Sequence, residues 1–152
     1  MLMLRVPLPK QGHPCSPPLV MRPDWFAPCP AYAIAKFGMS LCVLAMAEEF
    51  KGQVAVNVLW PRTGIATAAI ANVLGGEEGM KRCRKPEIMG DAAHAILNRP
   101  SRTCTGNFFI DDEVLASEGV TDLDKYAYAP GTPLMPDFFV PAPGARTVVG
   151  RG

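Results

Sequence analysis

Charge of either sign is nearly cancelled in this 152-residue chain, with 15 Lys and Arg against 14 Asp and Glu and a net charge of +1. There is therefore no overall field to draw in a nucleic acid. Histidine is scarce: His13 and His94 are too few and too isolated for a zinc site, so no metal is expected. The five cysteines, at 15, 29, 42, 83 and 104, form no CxxC pair and leave an odd one over. That pattern suggests reduced thiols in a cytoplasmic compartment, with Cys42 in the core. Neither a Cys-His dyad nor a Ser-His-Asp triad follows from residue order. Long apolar runs are also missing. The longest is about 17 residues with Lys36 inside it, short of the roughly 20 that span a bilayer, so no membrane partner is expected. Met1 to Val6 has no basic flank and meets Pro7 at once, unlike a secretory signal, and the terminal Gly150-Arg151-Gly152 is not a peroxisomal tripeptide. No internal repeat is present.

Glycine is nearly absent from the first thirty residues, where Gly12 stands alone, while eight of the sixteen prolines fall there. Such a density excludes a central strand and a long helix. Residues 1–15 read as an irregular leader. Prolines crowd again from 130 to 143, and 141–152 reads as a flexible tail. Between Ala31 and Ala129 only three prolines occur, all placed at element ends.

That middle region begins with the most informative segment, Tyr32-Ala33-Ile34-Ala35-Lys36. Tyrosine and lysine at i and i+4 share a helix face. From Ala31 to Ala47 the only clearly polar side chains are Tyr32, Lys36 and Ser40, spaced four apart on a body of Ile, Phe, Met, Leu, Val and Ala. A lysine placed in such surroundings is costly unless its charge is used. An ammonium one turn from a phenol favours the phenolate, drawing the tyrosine towards neutral-range acid-base chemistry. The plain alternative is a helix whose Tyr and Lys snorkel at its rim. Ser16, sixteen residues before Tyr32, could supply a hydroxyl donor to the same carbonyl oxygen.

Glu48-Glu49-Phe50-Lys51-Gly52 ends the helix with charge and a glycine stop. Val54 to Trp60 reads as a strand covered on both faces, closed by the turn residues Pro61-Arg62-Thr63-Gly64. A polar loop at a strand's carboxyl end is where doubly wound folds place a ligand. Gly75-Gly76-Glu77-Glu78-Gly79 follows a helix and reads as a helix cap and loop. Lys81-Arg82-Cys83-Arg84-Lys85 reads as a solvated loop face. A second helix begins at Pro86-Glu87, with Pro86 at N1 and Ile88, Ala92 and Ile96, and Met89, Ala93 and Leu97, forming one stripe. His94 belongs on its surface or boundary. Gly106 to Asp112 reads as a late strand, Glu113 to Ala116 as a short helix or turn, and Phe138-Phe139 as aromatics packing back onto the core or a partner subunit.

Ser16, Tyr32 and Lys36, the strand ending at Pro61, and Thr105-Gly106-Asn107-Phe108-Phe109-Ile110-Asp111 together resemble the carboxyl-terminal half of a short-chain dehydrogenase/reductase. Trp25-Phe26, Ala31 to Ser40, Met46 to Gly52 and Pro136-Asp137-Phe138-Phe139 are similar, more narrowly, to the hydroxysteroid-dehydrogenase-like group. The resemblance covers about Ser16 to Val140 and implies an α/β fold, a partial Rossmann-like doubly wound parallel sheet lacking its amino-terminal dinucleotide-binding half. It implies interconversion of a small-molecule alcohol and ketone with NAD or NADP. Tyr32 would exchange the substrate proton, Lys36 would lower its pKa and hold the nicotinamide ribose, and Ser16 would orient the carbonyl. Pro61, Thr63, Ile65 and Thr67 would lie against the nicotinamide end of the cofactor. The chain departs from the family in having Arg62 where glycine is common, with a loop one residue longer before Thr67.

A strand, glycine-rich turn and helix of the kind that binds a pyrophosphate do not occur in these residues. The expectation is therefore an oxidoreductase by lineage, shortened or begun late, with little or no activity alone. The alternative is a non-catalytic fragment or interaction module. The long helix is commonly part of the subunit interface in this family, so a homo-oligomer, or pairing with a full-length relative through Ala31 to Phe50, is the implied assembly.

Overall fold

A computed structural model describes residues 2–6, as backbone, and 22–141. The described elements run β1 (Leu2–Val6), α1 (Pro23–Phe26), α2 (Pro30–Glu49), β2 (Ala55–Trp60), a π-helical turn (Ile70–Leu74), α3 (Gly76–Lys81), α4 (Glu87–Leu97), β3 (Phe108–Ile110), α5 (Asp111–Ser117) and a 3-10 turn (Asp124–Tyr126). The class is α/β, with a small parallel pairing of Rossmann type. The chain divides into two compact units. One comprises Met1–Leu59, Arg99–Phe109 and Phe138–Gly152, the other Trp60–Asn98 and Ile110–Asp137.

In the first unit β2 is the central strand of a three-stranded sheet in the order β1-β2-β3. All six of its residues are buried, as its near-continuous apolar sequence predicts. Gly106 N–H donates to Val56 O at 2.8 Å and Val58 N–H to Asn107 O at 2.9 Å. These bonds advance in the same direction along both segments, so β3 lies parallel to β2. On the other edge β1 pairs antiparallel, from Leu2 opposite Leu59 to Val6 opposite Ala55. Residues 2–6 thus depart from the irregular leader expected there. Leu2-Met3-Leu4-Arg5-Val6 precedes the first proline, and the open edge of a buried strand offers unpaired N–H and C=O groups that such a run can satisfy.

Asn57 is buried in the middle of β2, and both the nitrogen and the oxygen of its amide are bonded. Its Nδ2 donates to Cys104 O at 2.7 Å, and its Oδ1 accepts from the Asn107 backbone N–H and from Asn107 Nδ2, both at 3.0 Å. Gly106, at φ 72°, makes the bend before β3, with room for only van der Waals contact against Ala47 of α2.

Pro30 opens α2 at its first turn. The helix ends at Phe50, after which Gly52 turns the chain at φ 80°. Ala33, Ser40, Val43 and Ala47 form its buried side. Ser40 is fully buried and its hydroxyl donates to Lys36 O at 3.3 Å. The helix has the expected 20 residues, shifted by one, and by length and composition alone it could cross a membrane, a test that core helices also pass. Cys42 is exposed on α2, contrary to its expected place in the core, because the buried side falls at Ser40, Val43 and Ala47. Cys83 and Cys104 are the buried thiols instead.

In the second unit α4 packs on α5. Ile88, Ala92, Ala93 and Ile96 are buried along α4 as the stripe predicts, whereas Pro86 caps the helix from outside and Leu97 is exposed. His94 is exposed, and Tyr126 donates its hydroxyl to Asp91 Oδ2 at 2.6 Å. The basic cluster is not a wholly solvated loop, since Cys83 and Arg84 are buried. Backbone bonds explain this: Arg84 N–H donates to Gly64 O at 2.9 Å and Ala66 N–H to Arg84 O at 2.8 Å, which threads the cluster into the interior.

Replacing Asn57 by Ala removes the acceptor of the Asn107 backbone N–H within a buried strand. The expected loss is about 2–4 kcal/mol of folding stability, read as a lower urea midpoint at unchanged slope.

Candidate functional site

Of the residues expected to act on substrate, the structure brings Tyr32 and Lys36 together. Both project from the first turns of α2, and the Lys36 ammonium lies 5.2 Å from the Tyr32 ring centroid. Tyr32 is 44% exposed and Lys36 half-buried, so the pair stands at the rim of its unit and not in its core. Phe139 stacks on the Tyr32 ring at 5.9 Å and 28°, and Phe138 meets it edge-on at 6.1 Å and 68°. Ser16 lies outside the described residues.

Pro61, Thr63, Ile65 and Thr67 belong to the loop that leaves β2 in the second unit. Pro61 and Thr63 are buried, Ile65 is half-buried and Thr67 is exposed. Thr63 pairs through its backbone with Pro136, and Ile65 with Arg84. Gly64 is required for close approach, because a Cβ there would stand 2.9 Å from Cys83 Sγ and 3.0 Å from the end of Met135. Thr67 O accepts from Ala71 N–H at 3.0 Å, where the π-helical turn begins.

Arg62 organises this loop, a role that sequence reasoning missed. Its backbone N–H donates to Asp111 Oδ1 at 2.9 Å, its Nε to Asp112 Oδ2 at 3.0 Å, and its Nη2 to Glu113 Oε1. All three acids occupy the first turn of α5. Burial works against the Arg62 cation, but Asp112 and Glu113 prevail and raise its pKa above the ordinary value. Asp111 is fully buried, and its carboxyl is raised to about 6, chiefly by desolvation, against the lowering effect of the Arg62 and Asp112 backbone N–H groups. Its Oδ2 has no hydrogen-bond partner, and neither do Nε and Nη1 of buried Arg84. The signal for Arg62 was an arginine at a strand end and a three-acid run at the end of a later strand, fifty residues away.

The glycine-rich segment does not form a phosphate cradle. Gly75 N–H donates to Ile70 O at 3.1 Å and Gly79 N–H to Gly75 O at 2.8 Å, so these amides join the π-helical turn to α3. Among the described residues no three His, Cys, Asp or Glu side chains gather as a metal site.

A long helix with Tyr and Lys one turn apart, followed by a buried strand and a ligand-type loop, is the order expected of the carboxyl-terminal half of a short-chain dehydrogenase/reductase, and the similar proteins support that resemblance. The comparisons carry this to a narrower group. The chain is 58% identical over 125 residues to hydroxysteroid dehydrogenase-like protein 2 of Xenopus tropicalis, covering 82% of this chain and 30% of that relative. It superimposes on a Xanthomonas campestris protein provisionally assigned as a dehydrogenase with a TM-score of 0.75 and 50% identity, covering 84% of this chain and 46% of that one. A short chain dehydrogenase from Mycobacterium thermoresistibile gives a TM-score of 0.73 and 47% identity, with 90% and 49% covered. No protein-family model matches the chain. The lineage is that of the short-chain dehydrogenases, with the hydroxysteroid-dehydrogenase-like proteins as curated relatives, and the chain spans about a third of their length.

The Asp111 carboxyl has a folded pKa above its unfolded value of 3.8, so its stabilising effect is complete below about pH 4 and is lost as pH rises through 6. The difference corresponds to roughly 3 kcal/mol. Asp111→Asn keeps an oxygen for both backbone donors. In denaturation at pH 4 to 7 the natural chain should lose stability relative to this variant as pH rises, by up to that amount, with the difference level above pH 6.

Proposed function

We propose that this chain carries the proton-transfer half of an NAD- or NADP-dependent alcohol/ketone oxidoreductase and has little or no turnover alone. The observation that carries this reading is the Lys36 ammonium 5.2 Å from the ring of a partly exposed tyrosine on one helix. Tyr32 would hold the proton exchanged with the substrate oxygen. Lys36 would favour its phenolate and bind the nicotinamide ribose, and Ser16 would steady the carbonyl. A bound nicotinamide would supply or accept the hydride. Lys36 suits its ribose end, but no described segment suits its pyrophosphate. The expected compartment is cytoplasmic, on the absence of cysteine pairing in the sequence.

A second reading has its own observation. On α2 Ile34 is 74% and Leu41 59% exposed, and both lie on the side away from Ala33, Ser40 and Val43. That face could pair with a full-length relative, making the chain an interaction module.

Two measurements separate these readings. Titration of NADH and NADPH into the purified chain, followed by fluorescence, should show no saturable binding below about 1 mM, the weak end of the affinity scale. Saturable binding lost in Lys36→Ala would instead establish an autonomous nicotinamide site. For the module, the double change Ile34→Glu and Leu41→Glu should abolish co-purification with a full-length relative while altering the chain's own stability by no more than about 0.5 kcal/mol per site.

A further inference from the structure

Phe139 is the only non-glycine residue among those described with a positive φ, 66°. A bulky L-residue is sterically disfavoured there, and such strain persists only where the surroundings over-determine it. The surroundings are five other rings and near-complete burial, with Phe139 2% exposed. Trp25 lies 6.4 Å away, Phe26 6.0 Å, Phe37 5.4 Å, Phe138 6.1 Å and Tyr32 5.9 Å, ring centroid to centroid.

Against the half-buried Trp25, Phe26 and Phe37 the Phe139 ring acts as packing. The strained turn achieves something more. It brings two sequence neighbours onto Tyr32 together, Phe139 stacked on it and Phe138 edge-on. A tyrosine 44% exposed near the start of a helix has several staggered side-chain states open to it. A ring stacked on it selects one of them, and with it one direction for the phenol oxygen relative to Lys36. Phe139 has no exchangeable proton, so it takes no part in proton transfer itself and acts on Tyr32 through contact.

We propose that Phe139 is a positioning residue for Tyr32, fixing the phenol against the Lys36 ammonium through the strained turn at the chain's aromatic tail. The proposal rests on the reading of Tyr32 and Lys36 as a proton-transfer pair, and its test separates the two.

The full chain is labelled with 3-fluorotyrosine, giving three fluorine signals, from Tyr32, Tyr126 and Tyr128, each assigned by its Tyr→Phe variant. Chemical shift and titration midpoint are followed in the natural chain, Lys36→Met, Phe139→Leu, Phe139→Tyr and Phe26→Leu. The expected result is that Phe139→Leu returns the Tyr32 shift towards its unfolded position and raises its midpoint, while Tyr126 and Tyr128 keep theirs. Phe139→Tyr, which retains the ring and adds a fourth fluorine signal of its own, should preserve both for Tyr32, as should Phe26→Leu, which removes a ring from Phe37 and Phe139. Lys36→Met should raise the midpoint and leave the Tyr32 shift at neutral pH displaced. A folded Phe139→Leu chain with Tyr32 unchanged in shift and midpoint would overturn the proposal. A midpoint unmoved by Lys36→Met would remove the proton-transfer pair itself, and the positioning proposal with it. Should Phe139→Leu not fold, Phe139→Met carries the same test, and failure of both would assign Phe139 to the core alone.

Discussion

Complete burial of β2 is the constraint on which the first unit depends. Six consecutive buried residues leave no backbone group of the strand in water, so each N–H and C=O must find a partner within the protein. Parallel pairing with the segment at Gly106 to Ile110 satisfies one edge and antiparallel pairing with Leu2–Val6 the other. The same burial explains why Asn57 uses both its amide nitrogen and its amide oxygen on the turn that delivers β3. An unpaired amide there would cost more than a hydrophobic residue could return. Gly106 follows from this arrangement, since the turn must bend left-handedly against the small face of Ala47.

A different force holds the loop beyond β2. Where a glycine is common in the family, this chain has Arg62, whose guanidinium has little exposure to water and so needs acids. Three stand ready in the first turn of α5, where a helix amino terminus itself favours negative charge. Removing one partner from such a network is costlier than never having built it, because the remaining charge stays buried. Asp111 records that tension. It binds two backbone N–H groups through one oxygen and leaves the other bare, and its raised pKa is the expression of a carboxylate held where solvent cannot stabilise it.

Local pattern made α2, α4, β2 and the Tyr32–Lys36 pair legible in the sequence, whereas Gly75 to Gly79, which reads as a cap and loop, opens α3. Periodicity identifies Ile88, Ala92 and Ile96 as one face, and the four-residue spacing of Tyr32 and Lys36 is enough to place them one turn apart. Tertiary register was not legible. Cys42 looks like core by composition, but the buried side of α2 runs through Ser40, Val43 and Ala47, and the cysteine falls outside it. Arg84 looks solvated by its charged neighbours, but its backbone is drawn inward by bonds to Gly64 and Ala66, nearly twenty residues earlier. Residues 2–6 carry no turn or cap signal, and only the open edge of β2 gives them a reason to be a strand. Each of these depends on a partner distant in sequence, which propensity and spacing do not encode.

Lineage and activity call for different kinds of support in this chain. The lineage rests on a long matched sequence and on superposition with solved dehydrogenases. Activity would rest on geometry, and the geometry divides. Tyr32 and Lys36 stand one turn apart on α2 with the ammonium 5.2 Å from the ring, and Phe139 stacks on that ring from a backbone at φ 66°. By contrast, in the glycine-rich segment the amides of Gly75 and Gly79 are spent on Ile70 O and Gly75 O, joining the π-helical turn to α3. The proposed proton-transfer pair therefore stands among its neighbouring rings in a chain where no described segment supplies a pyrophosphate site, and lineage by itself does not carry activity.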